Sequence, residues 1–99
     1  MFSEIYCVMT GRVQRVGFRA FVESVASLHG VTGWVQNRED GSVHIVLQGL
    51  PDVLKRCSED LQNGSVLSRV ESSAVEWRTP QEQFDDFRIL SGNDAELRR

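Results

Sequence analysis

No aspartate or glutamate occurs between Glu4 and Glu23, in a chain of 99 residues with a formal net charge of −3. That gap holds three arginines, Arg12, Arg15 and Arg19, so it is a cationic island in an acidic protein. No apolar run is long enough for a transmembrane helix. The start, Met-Phe-Ser-Glu-Ile-Tyr, lacks the basic segment and unbroken apolar core of a signal peptide. Cytoplasmic residence is the resulting expectation. The two cysteines, Cys7 and Cys57, do not stand in CxxC spacing, and we read them as reduced, largely buried thiols. Cys7 precedes Arg12 by five positions, one short of the Cys-x5-Arg spacing of cysteine-dependent phosphatases. No GxxxxGK[ST] occurs, which excludes a nucleotide P-loop, and no HxH, HExxH or Cys/His cluster supports a metal site. The acidic balance, and the lack of aromatics interleaved with the arginines, argue against nucleic-acid binding. The expectations are a monomer with no metal, no cofactor, no nucleic acid and no membrane partner.

What is present makes one domain, residues 1–91, with one core and a polar tail, 92–99. Glu4 to Thr10 alternates as a strand, and Phe18 or Arg19 to His29 has helical spacing, with Phe18, Phe21, Val22, Val25 and Leu28 on one side and Gly30 as the stop. Gly33 to Asn37 and Ser42 to Gln48 read as strands joined by a hairpin turn ending in Asp40-Gly41. Pro51 to Leu61 reads as a second helix, Arg69 to Trp77 as a fourth strand and Phe84 to Leu90 as a final strand. The order is that of an α+β, ferredoxin-like split-βαβ sandwich (βαββαβ) plus a short terminal strand: an antiparallel sheet with two helices on one face. Its first and second strands run in the same direction. Their C-terminal ends, near Gly11 and near Asn37, then lie on one edge of the sheet, about 10 Å apart.

The cationic island falls at a strand-to-helix junction. Helix N-termini carry unsatisfied N–H groups and the positive end of the dipole, so such a junction favours a small anion. A guanidinium adds a planar fork suited to phosphate or carboxylate. Arg19 has a competing role as a surface cation paired with Glu23 one turn on, and Asn37 as a turn former before Asp40-Gly41. Gly11 and Gly17 serve chain reversal, which a phosphate loop also needs. Trp34 reads as packing, His29 as a helix-end residue and His44 as an outward strand residue; neither histidine is read as a base.

Gly11-Arg-Val-Gln-x-Val-Gly-Phe-Arg19, followed by Gly33-Trp-Val-Gln-Asn37-x-x-x-Gly41-Ser-Val43 and Gly49, resembles the two signature segments of the acylphosphatase family. Asp86-Phe87-Arg88-Ile89 is also similar to that family's ending, so the resemblance reaches to about Leu90. It implies hydrolysis of an acyl phosphate, a carboxylic-phosphoric mixed anhydride, to carboxylate and inorganic phosphate without metal. It also implies a phosphate-binding set of Gln14, Arg15, Val16, Gly17, Phe18 and Arg19, in which the loop supplies backbone N–H groups. Arg19 and Asn37 are the implied catalytic pair, Asn37 holding the attacking water. Acylphosphatases usually have glycine where this chain has Arg15. If the position requires positive φ, arginine costs about 1–2 kcal/mol there. The alternative reading is accordingly a catalytically impaired anion-binding or regulatory module. A larger carbamoyl-phosphate-handling protein carries a similar domain; the start at Met1 and the polar tail favour a free-standing protein.

Overall fold

The computed structural model describes residues 2–91, so the polar tail expected at 92–99 lies outside the described residues. The elements are β1 (Ser3–Arg12), α1 (Phe18–His29), β2 (Thr32–Asn37), β3 (Val43–Gly49), α2 (Pro51–Asn63), β4 (Arg69–Arg78) and β5 (Phe87–Leu90). They form a five-stranded sheet in the order β4-β1-β3-β2-β5. β3 pairs antiparallel with both β1 and β2, which makes β1 and β2 parallel to each other, as expected. The sheet is not wholly antiparallel, however: β5 pairs parallel with β2, Val35 opposite Ile89, so the sheet is mixed. Apolar alternation marks a strand's buried face and carries no information on its direction, so the sequence pattern does not distinguish the two pairings.

Alternation along the strands divides the molecule into two layers of packing. Ile5, Cys7 and Met9 of β1, Val35 of β2 and Val43, Ile45 and Leu47 of β3 are buried under the helices. Phe18, Val22 and Val25 of α1 and Leu54, Cys57 and Leu61 of α2 meet them. Leu28, expected on the buried side of α1, is 76 % exposed, because it lies past the edge of the stripe defined by Phe18, Val22, Val25 and Ala26. The opposite face of the sheet holds a smaller cluster of Trp34, Val46 and Leu90 with Tyr6 and Phe84, so Trp34 is a packing residue.

The last strand is shorter than the sequence suggests. Phe84 sits in the outer cluster and its N–H donates to Gln48 Oε1 at 2.9 Å, which holds the backbone at 84 off the sheet ladder, while Asp86 O already accepts from Gly33 N at 3.0 Å. His29 ends α1, and its Nε2 lies 2.9 Å from Asp60 Oδ2, tying that helix end to α2. Both cysteines are free and buried. Burial pushes the Cys7 thiol up to about 12, with Cys57 nearby as a second cause, and burial pushes Cys57 up to about 11. Among the described residues no helix is long and apolar enough to cross a membrane.

Candidate active site

The chain leaves β1 through an irregularity in its pairing with β4 between Thr10 and Gly11. Gly11 has φ 120°, and a Cβ there would lie 2.2 Å from the Arg69 carbonyl oxygen, so no other residue fits without moving the strand. The loop that follows is pinned on its inner side. Val13 is buried, Val16 packs against the core, and Phe18, the first residue of α1, is 1 % exposed.

Gln14 pins it laterally. Its Nε2 donates to Arg38 O at 2.8 Å and to Ser42 O at 2.9 Å, bracing the loop against the β2–β3 turn. The resemblance implies a phosphate-binding role for Gln14 through its backbone N–H; its side chain is committed to this strut. No spacing rule points to such a contact between residues 24 and 28 positions apart.

Between these anchors, Arg15 and Gly17 adopt φ of 61° and 75°, while Gln14 and Val16 keep negative φ. Alternation of this kind turns successive N–H groups to one side and makes a concavity suited to an anion. Gly17 is also the N-cap of α1, whose first turn has no side-chain cap and no acidic residue. Its leading N–H groups are therefore open to a ligand. Arg15 is the sole non-glycine residue with positive φ among the described residues. It takes the backbone shape that glycine would take there, so the arginine strains the loop without unfolding it.

Asn37 is the last residue of β2, and its Oδ1 is buried with no hydrogen-bond partner among the described residues. The turn beyond it is built by other groups. Arg38 N donates to Ser42 O at 2.9 Å, and Asp40 Oδ1 accepts from Ser42 N at 2.9 Å and Ser42 Oγ at 2.6 Å. The Ser42 hydroxyl, and then the Ser42 N–H, hold the Asp40 carboxyl below its usual range. The turn-forming role open to Asn37 thus belongs to Asp40. The surface-pair role open to Arg19 also fails, since Arg19 makes no ion pair with Glu23.

Arg15, Gly17, Phe18, Arg19 and Asn37 line one cavity of about 220 Å³, walled on its far side by Ile89 of β5. That volume is below the ~300–1,000 Å³ typical of sites for drug-sized ligands and suits a small phosphorylated molecule. Ile89 was not singled out from sequence as a site residue, because the parallel β2–β5 pairing that brings it there was not foreseen. A larger cleft, about 570 Å³, lies on the opposite face of the sheet; Glu4, Glu76 and Glu82 line it against one cation, Arg78, which is already paired with Glu4 and Glu76, so it suits an anionic substrate less well. Among the described residues no group of three or more His, Cys, Asp or Glu side chains is placed to hold a metal ion.

A helix-backed sheet with a basic, acid-free cavity at its edge defines a small α+β domain built to handle an anion. The comparisons narrow that class. The acylphosphatase family model matches residues 5–89. The chain is 44 % identical to the acylphosphatase of Bacillus licheniformis over 82 residues, 83 % of this chain and 91 % of that one. It is 43 % identical to that of Pyrobaculum arsenaticum, over 89 % of this chain and 94 % of that one. The crystal structure of acylphosphatase from Bacillus subtilis superposes with a TM-score of 0.86 at 36 % identity, covering 89 % of this chain and 98 % of that chain. The chain belongs to the acylphosphatase family, and the activity of that family is its function.

Proposed function

We propose that the N–H groups of loop 14–18 and the Arg19 guanidinium hold the phosphoryl group of an acyl phosphate, and that Asn37 orients the water that attacks it. The observation that carries this reading is the unpartnered, buried Oδ1 of Asn37 in the same cavity as Arg19. A buried amide oxygen without a partner costs about 1–3 kcal/mol. Accepting a hydrogen bond from a bound water recovers that energy and aims a lone pair of the water oxygen at phosphorus.

The water oxygen bonds to phosphorus as the bond from phosphorus to the acyl oxygen breaks. The electron pair of that bond leaves on a carboxylate, and a proton of the water passes to the phosphate product. A carboxylate is a weak base and leaves without a general acid, so positioning and charge stabilisation can supply most of the acceleration. Arg19 and the loop amides meet the charge on the equatorial oxygens. In keeping with this reading, we take residues 1–91 as one domain acting as a cytoplasmic monomer without a nucleic-acid partner, supported by the acidic net charge and the two free thiols.

The test is ultraviolet loss of benzoyl phosphate with no added metal. Arg19→Ala is expected to lower kcat/KM by about 10²–10³-fold or more, and Asn37→Ala to lower kcat by about 10²-fold with a smaller change in KM. A kcat/KM in Arg19→Ala within about tenfold of wild type would sink this assignment.

A further inference from the structure

Arg15 occupies a position whose φ of 61° disfavours any L side chain, and the fold gains nothing visible in return. Its side chain is exposed, lies outside the core, and has no hydrogen bond or ion pair among the described residues. It nevertheless lines the reaction cavity beside Arg19, and none of the residues lining that cavity is acidic.

The two guanidiniums differ in placement. Arg19 is half-buried at the start of α1, next to the open N–H groups, where the phosphoryl group binds in the function proposed above. Arg15 rides the exposed rim of the loop. The part of an acyl phosphate that extends toward a rim is the acyl group, because the phosphoryl end is taken by the loop amides. Ile89, 40 % exposed, adds an apolar wall to the same cavity, suited to a short hydrocarbon or ring.

We propose that Arg15 determines acyl-group specificity: it selects acyl phosphates whose acyl group carries a carboxylate of its own, that is, monophosphates of dicarboxylic acids. The guanidinium fork pairs with the distal carboxylate, while Arg19 and the loop hold the phosphoryl group at the other end. This rests on the acyl-phosphate function proposed for the same site.

The experiment compares kcat/KM for benzoyl phosphate and 4-carboxybenzoyl phosphate in wild type, Arg15→Gly, Arg15→Asn and Arg15→Lys, each checked for folding by circular dichroism. Glycine and asparagine both accept positive φ, so these variants separate the lost charge from the backbone shape. Wild type is expected to favour the carboxylated substrate by about five- to tenfold at low salt. That ratio should fall to about one in Arg15→Gly and Arg15→Asn, stay partly raised in Arg15→Lys, and shrink as salt screens the rim. Equal ratios in all four proteins, or an Arg15→Gly loss shared equally by both substrates, overturn the specificity role and leave the acylphosphatase reading intact. Failure of wild type to hydrolyse either substrate overturns that reading, and the specificity role with it.

Discussion

Replacing Gln14 by alanine removes the brace between the phosphate loop and the turn after Asn37. Both lost hydrogen bonds, 2.8 Å to Arg38 O and 2.9 Å to Ser42 O, are partly shielded from water. Neither carbonyl is stranded, since Arg38 O still accepts from Gly41 N at 3.1 Å and Ser42 O from Arg38 N at 2.9 Å. The stability cost is then that of two ordinary bonds, about 1–2 kcal/mol, or a fall in Tm of roughly 5–10 °C for a domain of this size. The catalytic cost is a separate quantity. Arg19 and the loop amides stand on α1 and the Val13, Val16 and Phe18 anchors, which the substitution leaves in place. Asn37 stands on β2, and the brace is what fixes the distance between the two. A displacement near 1 Å between nucleophile and phosphorus costs up to about 10²-fold in rate. Gln14→Ala should therefore lower kcat of benzoyl phosphate hydrolysis by about ten- to a hundredfold, with KM changed less than threefold. Gln14→Glu should be worse near neutral pH, because a carboxylate would face two carbonyl oxygens. A variant that melts earlier but keeps wild-type kcat would refute the positioning role, and a rise in KM alone would move Gln14 into phosphate binding.

Four further outcomes follow from the same geometry. Arg15→Gly relieves about 1–2 kcal/mol of left-handed strain against about 0.5–1 kcal/mol of added chain entropy, a net of about 0–1.5 kcal/mol, so Tm should hold or rise by up to roughly 6 °C; a Tm lowered by several degrees argues that no strain is stored there. Both thiols should resist a thiol reagent at pH 8 in the native protein and react fully after unfolding. The unfolded chain releases thiol protons near pH 9 while the fold retains them to about 11 and 12, so stability should decline above pH 9, Cys7 alone contributing on the order of 1 kcal/mol of loss by pH 10; flat stability from pH 8 to 10 is the contrary result. Gly11→Ala places a Cβ against the Arg69 carbonyl at positive φ and should cost about 2–3 kcal/mol in denaturant unfolding.

Local chemistry explains which parts of this molecule the sequence discloses. Strand alternation, the helical stripes and the Pro51 start are short-range signals, and the boundaries they give match the elements to within a few residues, except at 84–86. The placement of Arg19 and Asn37 on one edge also follows from short-range logic, since a helix between two strands returns the chain in the same direction. Contacts set by tertiary pairing are a different matter. Ile89 reaches the cavity because β5 runs parallel to β2, and Phe84 leaves the sheet because a Gln48 side chain captures its N–H. Gln14 looks like one more polar loop residue until the β2–β3 turn is set beside it.

Arg15 shows how the two kinds of information combine. From the residues alone, an arginine at a loop position that requires positive φ threatens a cost of about 1–2 kcal/mol. In the folded chain the backbone at residue 15 already has the required sign of φ, so the amide direction is independent of what the side chain does. The strain is an energetic term spread over folding, not a distortion of the cradle. A substitution that leaves the cradle intact and adds a cation at its mouth alters the field felt by the departing acyl group more than that felt by phosphorus. Catalysis and selectivity are thereby assigned to different residues of one short loop, and they can be tested apart.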